Sequence, residues 1–166
     1  MRLSTKGRYA VMAMTDLARH SDALGAETRA RAVSLAAIAA RQEISLSYLE
    51  QLFARLRRQG LVRSARGPGG GYRLAKAAAE TSVAEIVLAV DEPLRATRCS
   101  LGSGGCMAGG ERCATHHLWE ELGEQIHLFL AGVSLSDVIE QRFSARSPNP
   151  HMSPSVTPHI APQAAA

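Results

Sequence analysis

The 166-residue sequence predicts a mainly α protein: a winged helix-turn-helix with a two-stranded wing, followed by a long C-terminal dimerisation helix. Three observations predict this class. Apolar residues, many of them alanine and leucine, recur at helical spacing along most of the chain, and only 4% of residues are aromatic. A short turn near Glu43 and Ile44 separates two helical segments. A glycine-rich stretch flanked by strand-like residues follows them directly.

The helix-turn-helix is predicted from three segments in the N-terminal half. The first helix covers residues 5–19, and the second begins at Ser34, a favourable cap. The third has apolar residues at spacings of 3, 4 and 3, opposite a face rich in arginine. Ser47 and Glu50 have the spacing of a capping box near its start, and Gly60 marks its end. Its predicted buried face consists of Leu46, Leu49, Phe53 and Leu56.

A hairpin is predicted immediately after the third helix. Leu61 and Val62 precede a glycine-rich run at residues 67–71, and Tyr72 and Leu74 follow it. A phosphate-binding nucleotide loop is the alternative for such a run. That reading is disfavoured because no Lys-Ser or Lys-Thr follows the glycines and the next residues are strand-like. The hairpin therefore predicts the wing.

Three more helices are predicted after the wing. One begins at a Ser82–Glu85 capping box, and a long one begins near Thr115. A short helix capped by Ser134 closes the order. The long helix carries an apolar stripe suited either to packing within its own domain or to pairing with its twin. The stripe consists of Leu118, Trp119, Leu122, Ile126, Phe129, Leu130 and Val133.

Composition indicates the compartment. Three cysteines are too few, and odd in number, for the disulfide framework of a secreted protein. The N-terminal residues contain no apolar run of signal-peptide length, and no run of about 18 apolar residues occurs anywhere. We expect a soluble cytoplasmic protein.

Positive charge is concentrated in the N-terminal half. Residues 1–76 contain 14 Lys and Arg against 5 Asp and Glu, whereas residues 77–166 contain 5 against 10. A basic half favours binding to a polyanion, with a merely solvated basic face as the alternative. Together with the helix-turn-helix, the charge predicts binding to double-stranded DNA.

The leading end of the third helix supplies the candidates for base contact, because a helix-turn-helix presents this end to the major groove. Hydroxyls can bond to several bases and an amide can pair with adenine. A carboxylate accepts from cytosine and repels other bases. The alternative for Ser47 and Glu50 is that they only cap the helix. The candidates are Ser45, Ser47, Glu50 and Gln51.

Basic residues outside that helix are candidates for backbone contact. Arg66 lies at the wing tip beside small residues and is predicted to enter a minor groove. Arg2, Lys6 and Arg8 are predicted to neutralise phosphates, with plain solvation as the alternative for each. Because a module of this size spans one half-site, specific binding predicts a homodimer on two-fold-related promoter sites.

All three cysteines lie in residues 99–117, with the spacing C-x6-C-x6-C-x2-H. Thiolates and imidazole are ligands of zinc and of iron-sulfur clusters. The close cysteine pairs of structural zinc sites are absent, and the glycines let backbone amides approach sulfide, so the pattern favours a cluster. Three unliganded thiols on a surface loop are a further alternative. The candidate ligands are Cys99, Cys106, Cys113 and His116, with His117 as an alternative last ligand.

A catalytic role is the remaining alternative for this loop. Cys113 with His116 or His117 would form a thiol-imidazole pair, but the sequence offers no evident orienting carboxylate or oxyanion pocket. No enzyme is therefore expected.

These motifs divide the chain into three predicted parts. Residues 1–80 form the winged helix-turn-helix DNA-binding region, and residues 81–143 form the cluster-binding loop and dimerisation helices. Residues 144–166 contain five prolines without an apolar period, which predicts a disordered tail.

Five stretches of the sequence together resemble one known family. They are MRLSTKGRYAVMAM, ISLSYLEQLFARLRRQGLVRSARGPGGGY, VAEIVLAVDE, RCATHHLW and VSLSDV, in this order. They closely resemble the iron-sulfur cluster-sensing regulators of the Rrf2 family of winged-helix transcription factors. The resemblance covers residues 1 to 140.

The resemblance implies a homodimeric bacterial transcription regulator with a 2Fe-2S cluster on Cys99, Cys106, Cys113 and His116. Such a regulator takes its cluster from the cluster-assembly machinery and represses the assembly operon when loaded. It regulates a second class of promoters in either state. The resemblance also implies that Glu50 helps to distinguish the two promoter classes. The implied DNA-contacting residues are Ser45, Ser47, Glu50, Gln51 and Arg66.

Two features depart from the family pattern. The family's cysteine intervals are usually five residues, and both are six here. A 4Fe-4S cluster that senses nitric oxide and a structural zinc site therefore stay open as alternatives. An insertion also lengthens the loop around residues 24–32, which we expect to be neutral for DNA contact.

Overall fold

The computed structural model describes residues 4–21, 31–67, 69–90, 106–107 and 110–143. Its element order confirms the predicted mainly α class with a two-stranded wing. A single 3-10 turn, Ala78–Glu80, lies between the wing and the fourth helix. The elements are α1 (Thr5–His20), α2 (Leu35–Gln42), α3 (Leu46–Arg58), β1 (Val62–Ala65), β2 (Gly71–Leu74), α4 (Val83–Val90), α5 (His116–Ala131) and α6 (Leu135–Glu140).

Serine side chains begin the first three helices. The hydroxyl of Ser34 accepts a hydrogen bond from the N–H of Ala37 at 3.2 Å, as the sequence predicted. The predicted capping box of Ser47 and Glu50 is wrong, because the cap of α3 is Ser45. Ser45 has extended backbone angles, whereas Ser47 already lies within the helix. Helix α2 ends at its cap residue Glu43, whose left-handed backbone reverses the chain, so that α3 can begin at Leu46 after a short connection.

Capping boxes begin helices α4 and α6. The predicted box of α4 is confirmed, since the Glu85 N–H donates to Ser82 Oγ and the Ser82 N–H donates to the Glu85 carboxylate. Ser134 and Asp137 form the same arrangement at α6. An antiparallel bridge between Ser82 and Ser134 holds the two helix starts together.

The wing is an antiparallel pair in which Val62 faces Leu74 and Arg63 faces Arg73. Val33 extends this pairing through two hydrogen bonds with Tyr72, at 2.8 and 2.9 Å. That bridge was not predictable from the sequence, because a single bridging residue shows no two-residue period. The two segments are close enough that a Cβ on Gly71 would lie 2.2 Å from the Val33 carbonyl oxygen.

One core connects the wing, the helix-turn-helix and the C-terminal helices. Met14 of α1, Phe53 of α3, Ile86 of α4 and Leu135 of α6 are fully buried members of it. The functional division at residue 80 stays a prediction, and α4 and α6 pack on the same core as α1 and α3. No helix in the part of the chain that the structure describes is both long and apolar enough to cross a membrane.

Helix α5 contributes little to this core. It packs on α4, and His116 is its one buried residue. Leu118, Leu122 and Phe129 from the predicted stripe are exposed, whereas Val133, just beyond the helix, is buried. Packing within the domain therefore buries the C-terminal end of the stripe, at Val133, and leaves Leu118, Leu122 and Phe129 accessible to solvent.

A buried ionic contact joins α1 to α2. The carboxylate of Asp16 is 1% exposed and accepts hydrogen bonds from the Arg41 guanidinium at 2.6 to 3.1 Å and from the Gln42 amide at 2.8 Å. Burial raises the pKa of Asp16, but the bonds from Arg41 and Gln42 lower it more, so the pKa lies below its ordinary value of 3.8. Sequence reasoning did not identify this network.

Candidate nucleic-acid interface and metal centre

The first two turns of α3 present a set of accessible polar side chains. Ser45 Oγ accepts from the Tyr48 N–H at 3.2 Å and lies 3.4 Å from Ser47 Oγ. Glu50 and Gln51 are exposed. Since Ser45 supplies the cap, the interpretation of Ser47 and Glu50 as mere caps is excluded. Within the described residues the Glu50 side chain has no hydrogen bond or ion pair, so its carboxylate faces solvent as a separate charge.

Aromatic stacking brings the basic end of α1 next to this set. The Arg8 guanidinium lies 5.4 Å from the centroid of the Tyr9 ring. Tyr9 in turn meets Tyr48 of α3 edge-on, with ring centroids 6.0 Å apart. Lys6 is also exposed on α1, and Arg2 lies outside the described residues. Positive charge on α1 therefore flanks the leading end of α3.

The wing supplies a second basic surface. Arg63 and Arg73 face each other across the two strands, and both are exposed. Side chains of directly opposed residues lie on the same side of the pair, and like charges there repel one another. An anion between them would relieve that repulsion. Arg66 is exposed at the tip, as predicted.

Arg55 links α3 to the end of α4. Its Nη1 donates a 2.8 Å hydrogen bond to the carbonyl of Val90, the last residue of α4. A cation at this position compensates the negative end of the helix, which has no basic residue of its own in its last turn. Val90 is nine residues before Cys99 in the sequence. The contact therefore connects α3 to the residue at which the chain leaves α4 toward the cysteines. The sequence offered no sign of it, because the two residues are 35 positions apart.

The thiol and imidazole of Cys106 and His116 lie together. Cys106 Sγ is 3.0 Å from His116 Nδ1, and the His116 side chain is 8% exposed. The backbone N–H of His116 donates to the Cys113 carbonyl at 3.0 Å, which places Cys113 on the turn leading into α5. This distance is that of a hydrogen bond between the thiol and the imidazole, and it places two of the candidate ligands side by side.

The remaining candidate ligands are less closely gathered. Cys113 Sγ contacts Thr115 Oγ1 at 3.7 Å, and Cys99 lies outside the described residues. Among the residues that can be described, no three His, Cys, Asp or Glu side chains converge as a metal site. His117 is 77% exposed and lies 3.5 Å from the Glu120 carboxylate. The geometry thus pairs His116, rather than His117, with a cysteine.

The start of α5 favours negative charge beside these ligands. Thr115 is the N-cap residue, but its side chain makes no capping bond. Its hydroxyl instead accepts from Trp119 Nε1 at 3.2 Å. Apart from the N–H of His116, which donates to the Cys113 carbonyl, the first-turn amides of this 16-residue helix therefore have no side-chain cap and can face thiolates or a bound anion. Soft thiolate and imidazole ligands beside a positive helix end have the chemistry that suits an iron-sulfur cluster.

Comparisons with known proteins agree on one family. The profile of the Rrf2 family, described as an iron-dependent transcriptional regulator, matches residues 3–141. The HTH-type transcriptional regulator IscR of Photorhabdus laumondii is 54% identical over 142 residues, which are 86% of this chain and 81% of that protein.

Solved structures show the same likeness. T. potens IscR has a TM-score of 0.66 at 33% identity, covering 92% of this chain and 96% of the other. CymR, the global cysteine regulator of B. subtilis, has a TM-score of 0.67 at 30% identity, covering 85% of this chain and 98% of the other. The matching family and the relatives named here are described as regulators, not as enzymes.

Proposed function

This chain belongs to the Rrf2 family of transcriptional regulators, and we propose that it senses a 2Fe-2S cluster and controls the genes of cluster assembly. The cluster-bound form is the repressor. The observation that carries the proposal is the 3.0 Å contact of Cys106 Sγ with His116 Nδ1 beside the uncapped start of α5. We place the protein in the cytoplasm, with the cluster-assembly machinery as its cluster donor.

The proposed ligands are Cys99, Cys106, Cys113 and His116. With one neutral imidazole and three thiolates, an oxidised 2Fe-2S centre has a net charge of about −1. The protein would sense the supply of clusters by whether this site is filled or empty. The buried His116 ring would hold its donor nitrogen in place, and the α5 amides would offset the negative charge.

On the DNA side, we propose that the leading end of α3 enters the major groove. Flanking charge from Arg2, Lys6 and Arg8 would hold phosphates, while Arg66 would enter a minor groove. The exposed stripe of α5 would pair with a second copy and place two α3 helices on two-fold-related half-sites. The proposed base-contacting residues are Ser45, Ser47, Glu50 and Gln51.

Replacement of Glu50 by alanine should broaden the set of DNA sites that the protein binds. An unpaired carboxylate accepts from cytosine and repels the acceptors of other bases, so its loss should reduce discrimination at one base pair about ten-fold. The measurement is selection from a random duplex pool at fixed salt, followed by titration of single-base variants.

Two variants control this experiment. Glu50→Gln removes the charge and keeps the shape, so it should also broaden the selected sites if repulsion is the cause. Glu124→Ala removes an equally exposed acid from α5 and should leave the preference unchanged. An unaltered preference in Glu50→Ala would exclude this residue from base discrimination.

A further inference from the structure

Leu46 is an exposed apolar residue at the first position of α3. The sequence predicted that it belongs to the buried face, and that prediction is wrong, since Leu46 is 42% exposed. Leu49 and Leu56, on the same stripe, are fully buried. The apolar stripe of α3 therefore enters the core only at Leu49, and its first residue, Leu46, lies on the surface.

The neighbours of Leu46 make this exposure informative. Single exposed leucines are ordinary on protein surfaces and need no explanation by themselves. Here the residue stands between Ser45 and Ser47, whose hydroxyls lie 3.4 Å apart, and Glu50 follows one turn later. Leu46 is thus the one large apolar group among the side chains assigned to base contact under the proposed function.

The chemistry of the major groove identifies one partner for an isobutyl group at this place. Base edges there offer hydrogen-bond donors and acceptors, and the only apolar group among them is the C5 methyl of thymine. Phosphates and sugars offer leucine no comparable apolar surface. We propose that Leu46 packs on a thymine methyl and selects a T·A pair next to those contacted by Ser45 and Ser47. This proposal rests on the DNA-binding function above.

Deoxyuridine substitution tests the contact, because it removes the methyl and leaves every hydrogen-bonding group of thymine intact. The duplex is the one that the full chain selects from a random pool, and each thymine is replaced singly. Burial of one methyl corresponds to about a four-fold change in affinity. We expect one thymine per half-site to show that loss with the unmodified chain, and Leu46→Ala to bind its thymine and uracil duplexes equally.

A leucine of matching exposure provides the control. Leu88 on α4 is 40% exposed, and Leu88→Ala should keep the four-fold discrimination. Thermal melting of each variant checks that the fold is intact. The inference is overturned if no thymine is sensitive, or if Leu46→Ala discriminates as the unmodified chain does. If the unmodified chain selects no duplex at all, the DNA-binding proposal itself fails, and the two failures are thereby distinguished.

Discussion

Replacing His116 with alanine is expected to lower the iron content of anaerobically purified protein at least ten-fold. The imidazole is almost completely buried and its Nδ1 lies 3.0 Å from Cys106 Sγ, so no exposed residue can take its place without rearrangement. The visible absorption should disappear with the iron. The measurement is iron and acid-labile sulfide per chain, with the absorption spectrum.

The adjacent histidine is the matched control for that variant. His117 is 77% exposed and faces Glu120, so His117→Ala should retain the iron content of the unmodified chain. His116→Cys supplies a thiolate in place of imidazole and should restore a cluster with an altered spectrum. Full iron content in His116→Ala, or its loss in His117→Ala, would contradict the assignment of the fourth ligand.

Asp16→Ala should lower the free energy of unfolding by about 3 kcal/mol. The substitution removes the buried carboxylate that pairs with Arg41 and Gln42 and leaves both donors without it. Arg41 is about one-third exposed, so solvent moderates the loss relative to a fully buried pair. Urea unfolding at neutral pH measures the difference.

The same network gives a pH dependence with a definite sign. The pKa of Asp16 is lower in the folded chain than its ordinary value of 3.8, so the folded state favours the charged form. Its stabilisation is complete above about pH 5 and is lost as the pH falls below about 4 toward the folded pKa. Asp16→Ala should therefore lose less stability than the unmodified chain between pH 5 and pH 3.

An exposed ion pair provides the control for Asp16. Arg142 pairs with Glu140 at the surface, and Arg142→Ala should lower the free energy of unfolding by less than about 1 kcal/mol. A loss of similar size in Asp16→Ala would show that the buried pair contributes no more than an exposed one.

Local patterns predicted most elements of the fold. The Ser82–Glu85 box and the glycine-rich hairpin were found in the structure because their signals lie within a few adjacent residues. Contacts between distant segments were not predictable in this way. The bridge of Val33 to Tyr72 and the pairing of Asp16 with Arg41 depend on how the helices and wing meet.

In the candidate site, too, local features were predictable from the sequence and contacts between distant residues were not. The C-x-x-H spacing places Cys113 and His116 on one turn, and the structure puts them there. The cap of α3 was misassigned because Ser45 and Ser47 both satisfy local cap preferences, and only the turn at Glu43 decides between them. The exposure of Leu46 was also not predictable, because the spacing of apolar residues defines an apolar stripe on the helix but not the point at which the core ends.

The metal content of the full chain, purified without oxygen, tests whether the protein holds the proposed 2Fe-2S cluster. We expect a coloured protein with about two irons and two acid-labile sulfides per chain. A colourless protein with one zinc per chain would contradict it and favour a structural metal site. About four irons per chain, with rapid bleaching by nitric oxide, would contradict the cluster type and favour a 4Fe-4S sensor.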